Sequence, residues 1–101
     1  MALKKLRIKF HRAASEELQE IAAYYDNQMP GLGREFLDEV ERASNILIDN
    51  SELGGIFFEP YRRLVMRRFP FNIYYRTANS EIRILAVAHQ HRKPGYWTSR
   101  V

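Results

Sequence analysis

The chain of 101 residues has no cysteine, which excludes disulfides, thiolate metal sites and a thiol nucleophile. It has no run near the roughly 18 apolar residues that a membrane span requires. Its opening, MALKKLRIKF, is too short and too charged for a signal peptide. A soluble protein of the reducing cytoplasm, without a membrane partner, is expected. Also missing are a glycine-rich turn between a strand and a helix, zinc-ligand spacings and a basic helix able to enter a DNA groove. No repeat, low-complexity tract or linker interrupts the chain. The length fits a single domain, 1–101, with one two-layer core and no room for a deep cofactor cavity. No cofactor or metal is expected.

Acid is scarce in the second half. Residues 60–101 carry nine Lys and Arg against Glu81 alone, a balance of +8. Residues 11–59 carry three arginines against eleven Asp and Glu, a balance of −8, and residues 1–10 hold four basic groups and no acid. The net charge of +4 hides this segregation, which bears on partners and encounter rates rather than on fold. The densest stretch is RRLVMRRFPFNIYYR, residues 62 to 76, with two arginine pairs beside a run of aromatics.

The apolar pattern divides the chain. Leu6, Ile8 and Phe10 alternate with Arg7 and Lys9, predicting a half-buried strand over LKKLRIKFHR. From Ala13 the period becomes helical, with Ala14, Leu18, Ile21, Ala22 and Tyr25 on one stripe. Pro30, Gly31 and Gly33 in NQMPGLG break that helix. A second helical stripe follows through Phe36, Val40, Ala43 and Leu47, and the short break predicts an antiparallel helical hairpin. DNSELGG ends it. YRRLVMRRF, FNIYYRT and EIRILAVAHQH then read as three strands, with Pro70 in the first bend and ANS as a tight turn. The tail RKPGYWTSRV is too short for more than one helical turn.

The predicted class is therefore α+β, in the order β-α-α-β-β-β. The helical hairpin should cover one face of a small curved antiparallel sheet, with the first strand returning to pair inside it. The opposite face should stay open and carry much of the arginine and aromatic content, because alternation sends every second residue outward.

This order, with AAYYDNQMPGLGREFLDEVERA in the helices, RRFPFNIYYR in the hairpin and ILAVAHQHRKPGYWTSR at the end, resembles the RelE/ParE superfamily of type II toxin–antitoxin systems. The wording is most similar to the ParE branch. The resemblance covers roughly residues 5 to 100, and its most specific elements are the Arg-Phe-Pro-aromatic hairpin and the ending His89, Arg92, Pro94, Tyr96 and Trp97. It implies a growth-arresting toxin covered by a cognate antitoxin in a hetero-oligomer. ParE-like members inhibit DNA gyrase by binding; RelE-like members cut messenger RNA in the ribosome.

The resemblance also separates the two targets. RelE-like cleavage uses a cluster of Lys, Arg and a C-terminal Tyr. Here Tyr96 and Arg63 match, but the other basic positions fall on Val65, Asn72 and Gln90, which hold no fixed charge for a phosphate. A substitute set would be His91 or His89 as acid or base, Tyr96 as its partner and Arg63, Arg67 or Arg92 on the phosphate. The bland reading is that His89 ends a strand and Tyr96–Trp97 pins the tail. A metal at His89 and His91 lacks a third ligand nearby in sequence.

A toxin that acts by binding needs surface. The candidate target-binding residues are Arg62, Arg63, Arg67, Arg68, Arg76, Arg83, Arg92, Tyr96, Trp97 and Arg100, with Phe69, Phe71, Tyr74 and Tyr75 as further planar area, about half of it expected in the core. Arginine and aromatics are enriched in interface hot spots and suit phosphates and unstacked bases. A non-toxic nucleic-acid-binding or adaptor module is the remaining alternative. The basic sheet side and the outer seam of the helical hairpin could each receive an antitoxin, and the tail of an acidic antitoxin is expected to contact the basic half.

Overall fold

The computed structural model describes residues 6–100; Leu3, Lys4 and Lys5, at the start of the predicted first strand, lie outside them. Strand β1 spans Arg7–Phe10 and ends where His11 caps a helix, its Nδ1 accepting from the Ala13 N–H at 3.0 Å. Helix α1 (Arg12–Gln28) buries Ala14, Leu18 and Ala22. Its end is set by Met29 in an extended conformation and by Gly31 at φ 91°, which caps helix α2 (Leu32–Asp49).

The hairpin closes on one contact that only glycine permits. The Gly33 N–H donates to the Asp26 carboxylate at 2.8 Å, and a Cβ on Gly33 would stand 2.3 Å from the Ala22 carbonyl oxygen. Helix α2 then buries Phe36, Val40, Ser44 and Leu47.

Strands β2 (Gly55–Phe58), β3 (Tyr61–Val65), β4 (Phe71–Ala78) and β5 (Glu81–His89) form a meander. The sheet order is β1-β5-β4-β3-β2. Asn79 and Ser80, both at positive φ, make the β4–β5 turn, the two-residue form whose twist matches the strands.

Three expectations change. The sheet is mixed rather than antiparallel, because β1 pairs parallel with β5. Strand β1 lies at an edge rather than inside, since the helical crossover lands β2 at the far edge and the meander returns toward β1. Strand β2 was absent from the sequence reading; its register shifts between Ile56 and Phe58, which erases the alternation that would reveal it.

Both faces of the sheet are packed. On the helix side, Ile73, Tyr75, Ile82, Ile84 and Val87 meet Phe36 and Leu47 in one core. On the outer side, which was expected to stay open, the tail after β5 folds back and buries Trp97 completely. Its ring stacks on Tyr74 at 4.7 Å and meets Tyr61 edge-on at 5.0 Å. Leu85, Ala86 and Ala88 complete this second core. Small side chains on β5 leave the space that the indole fills.

Candidate functional site

The predicted binding residues fall into three groups according to what their side chains already hold. The first is spent on the fold. Arg62 donates to the carbonyls of Glu52 at 3.2 Å and Gly54 at 2.8 Å, fastening the loop before β2. Arg100 donates to Glu17 at 3.0 Å and to the Leu85 carbonyl at 2.9 Å. Trp97 has no exposed surface and so offers none to a partner, a correction to its expected role. The planar area shrinks further, because Phe69, Tyr74 and Tyr75 are buried and Phe71 packs on the helix-side core. These rings lie inward because the tail and the helices each cover one sheet face.

The second group is neutralised within the chain. Arg68 pairs with Glu35 at the start of α2. Arg83 contacts Glu81 at 3.2 Å, but shares that carboxylate with Arg7 at 3.6 Å, so its charge is offset only in part. Arg92 lies 3.6 Å from the centre of the Tyr96 ring and 4.0 Å from Glu17. An arginine already facing a carboxylate gains less from an anionic partner, so the predicted surface does not act as one undivided patch.

Glu17 of α1 ties the tail to the sheet and faces Arg92 of this second group. It accepts from the Val87 N–H at 3.1 Å, the Tyr96 hydroxyl at 2.8 Å and Arg100. Beyond Ile84, strand β5 has no β1 partner, and the Glu17 carboxylate takes the place of a neighbouring strand at Val87. Burial, then the hydrogen bond to Glu17, raises the Tyr96 hydroxyl to about 12. Tyr96 therefore keeps its proton at neutral pH.

The third group remains available. Arg63 lies on the outer face beside Tyr74, with its guanidinium 5.6 Å from the Phe57 ring centre. Arg67 stands at the rim of a groove of about 200 Å³ between α2 and β3, lined by Ala43, Ile46, Leu53, Leu64, Val65 and Met66. Ile46, Leu53 and Val65 are about half exposed. Strand β2 pairs with β3 only as far as Arg63, so the β3 edge beside this groove has no strand partner among the described residues. Arg76 faces Arg83 directly across β4 and β5.

The members of the substitute ribonuclease set contact different elements. Arg67 lies against α2, Arg63 against Phe57, and Tyr96 and Arg92 against Glu17 of α1. His89 and His91 are near one another, ring centres 5.2 Å apart, and the His91 N–H donates to His89 Nδ1 at 3.1 Å. Both are exposed at the end of β5. Among the described residues no group of three His, Asp or Glu gathers as metal ligands.

Sequence reasoning missed two participants. Glu17 looked like one of several outward glutamates of α1; only the β1–β5 register shows that it borders a bare strand edge. Lys9, read as the solvent side of the first strand, lies directly beside Arg83. Strand order is what joins the basic N-terminal segment to the basic second half, and no local pattern encodes it.

Comparison with known proteins agrees with this architecture. Residues 8–94 match the family described as "ParE toxin of type II toxin-antitoxin system, parDE". The chain is 28% identical over 96 residues to Toxin ParE2 of Mycobacterium tuberculosis strain CDC 1551 / Oshkosh, covering 87% of this chain and 85% of that one. Toxin ParE2 of strain ATCC 25618 / H37Rv gives the same figures. A solved structure titled "Chromosomal ParDE TA system from P. aeruginosa" superposes with a TM-score of 0.76 at 21% identity, over 86% of this chain and 98% of that chain. Among the described residues no helix is long and apolar enough to cross a membrane. A helical hairpin on a five-stranded mixed sheet, with a family match over nearly all of it, makes this chain a member of the ParE toxin family of type II toxin–antitoxin systems.

Proposed function

We propose that this ParE-family chain arrests growth in the cytoplasm by binding DNA gyrase, without bond-breaking chemistry of its own, until a cognate antitoxin covers it. The observation that carries this reading is that the candidate proton-transfer and phosphate-binding groups are engaged with different elements of the chain. Tyr96 is tied to Glu17 and held protonated, and Arg63, Arg67 and Arg92 lie against three different elements. Cleavage through a 2′-OH needs a base, an acid and a cation within reach of one phosphate. A binding toxin needs only complementary surface, and Arg63, Arg67 and the Arg76 region supply uncommitted charge.

The antitoxin segment fits the groove between α2 and β3. It would add backbone hydrogen bonds along the unpaired β3 edge and bury Ile46, Leu53 and Val65, the two gains of strand addition. Arg67 at the rim would meet its acidic groups. Ile46→Asp with Val65→Asp should weaken neutralisation while leaving growth arrest intact.

The deciding experiment runs purified protein in a gyrase supercoiling and DNA-cleavage assay beside a ribosome-programmed RNA cleavage assay. Inhibition or trapped cleavage by gyrase with intact message supports the proposal. Message cleavage with unaffected gyrase overturns it in favour of a ribonuclease, and inactivity in both assays favours an adaptor module. Arg67→Ala with Arg68→Ala should reduce toxicity more than His89→Ala with His91→Ala; the reverse ranking would restore the histidines as catalytic groups.

A further inference from the structure

One line of side chains crosses the outer face and takes one residue from every strand. Lys9 on β1 is paired with Arg83 on β5, and Arg83 with Arg76 on β4. The register that sets Arg62 opposite Tyr75 brings Tyr61 of β3 beside Arg76. Tyr61 is paired in turn with Phe58 of β2, their ring centres 5.1 Å apart. The flanking residues Ile8, Phe10, Ile82, Ile84 and Tyr75 belong to the helix-side core, which places Lys9, Arg83 and Arg76 on the face away from the helices; Tyr61 packs there against Trp97, and Phe58 contacts Tyr61. With strands about 4.8 Å apart, it extends about 19 Å.

The line is unfavourable as a fold element. Like charges directly opposite each other on a sheet destabilise it, and here three cations stand in succession. Glu81 is the carboxylate that answers them, and it is shared between Arg83 and Arg7, at 3.2 and 3.6 Å. Among the described residues Lys9 and Arg76 have no ion pair, and Arg76 Nε is buried without a hydrogen-bond partner. A cavity of about 180 Å³ opens at the cationic end between Lys9, Phe10, His11, Arg83 and Leu85. The tail reaches the middle of the line, where Trp97 meets Tyr61 edge-on at 5.0 Å and the Tyr61 hydroxyl donates to the Thr98 carbonyl at 3.3 Å, and Lys9 at the end of the line is exposed. At the opposite end Phe58 is 47% exposed.

We propose that this line is a track for a single strand of nucleic acid, with phosphodiester groups on Lys9, Arg83 and Arg76 and a base against Phe58. Phosphates supply closely spaced anions that offset the cation row, and a planar base matches the exposed ring; a cationic track beside an aromatic platform is the usual means of holding single strands without sequence preference. An acidic peptide would answer the charges but leave the ring unused. The proposal deepens the binding-toxin reading by giving this part of the surface a nucleic-acid contact, yet it is tested on the isolated chain without gyrase, so either can fail alone.

The test is fluorescence anisotropy of the full-length protein with a labelled twelve-nucleotide thymidine strand, its duplex with adenosine, and a poly-glutamate peptide, across a salt series. The single strand should bind most tightly. Each phosphate contact contributes about 0.7 to the slope of log affinity against log salt, so Arg76→Ala with Arg83→Ala should flatten that slope by about 1.4. Phe58→Ala should cost about fivefold or more in affinity, the lower end of a base-stacking contribution, with the salt slope unchanged. The double variant relieves a like-charge pair and should melt no lower than the parent; if it misfolds, Lys9→Ala alone should still lower the slope by about 0.7. No single-strand binding at 50 mM salt, an unchanged slope in the folded variants, or equal binding of poly-glutamate would each overturn the proposal.

Discussion

The two faces of the sheet bury comparable rings by different means. On the helix side, two long helices with regular apolar stripes cover Ile73, Tyr75 and Ile84, and Phe36 contacts Phe69 and Phe71 at ring distances of 5.3 and 5.4 Å. On the outer side an eleven-residue irregular tail, residues 90–100, does the same work over half the face through the Trp97 indole and through bonds from Tyr96 and Arg100 to the Glu17 carboxylate of α1. The other half is basic, with Lys9 exposed and Arg76 and Arg83 half-buried. A helical lid is held by many weak contacts; the tail depends on a few strong ones, so single substitutions should affect it disproportionately.

The largest expected effects test that difference directly. Trp97→Ala and Phe36→Ala should each cost about 3–5 kcal/mol, measured by urea unfolding. Trp97 is the chain's single tryptophan, so its fluorescence reports the outer side while far-ultraviolet dichroism reports the helices. Coincident transitions would mean the faces fold as one unit; an earlier fluorescence transition would mean the tail leaves first. Glu17→Ala should follow at about 3 kcal/mol, because it strands Arg100 with its side chain only 18% exposed. Hydrogen exchange at Val87 should accelerate in that variant, and an unchanged rate there would remove Glu17 as the edge substitute.

Tyr75→Phe comes next. Its hydroxyl donates to the Ser51 carbonyl and accepts from the Gly54 N–H, at 2.8 and 2.9 Å, so about 1–3 kcal/mol should be lost, visible as a lower urea midpoint with an unchanged slope. The smallest effect is on pH dependence. The Tyr96 hydroxyl is raised from 10.0 to about 12, so the folded chain holds that proton more tightly than the unfolded chain. The linked stability is fully present below pH 10 and is lost as pH climbs toward about 12. Tyr96→Phe should flatten that alkaline limb relative to the parent, without altering stability differences between pH 6 and 9.

What could be read from sequence follows from where the information lies. Both helices, their Pro30–Gly31 break and the β3–β5 meander are local patterns of period 3.6 or 2, and each was legible. Strand β2 was not, because its bulge destroys the alternation. The face that received Trp97 was not legible either, since Ala86 and Ala88 look like ordinary small strand residues until a ring has to fit above them. The arginines were visible as a count, but their pairing with Glu17, Glu35 and Glu81 joins positions far apart in the chain or across strands. Only the strand order makes neighbours of Lys9, Arg83 and Arg76.

The parallel pairing of β1 with β5 has a consequence for biosynthesis. Arg7 meets Glu81 in the register, so the first strand emerges from the ribosome long before its partner has been translated. The helical hairpin can collapse early, yet the parallel sheet edge must wait until β5 has been made. The basic line across the outer face, which needs Lys9 beside Arg83, therefore forms only after the whole β2–β5 meander has been synthesised.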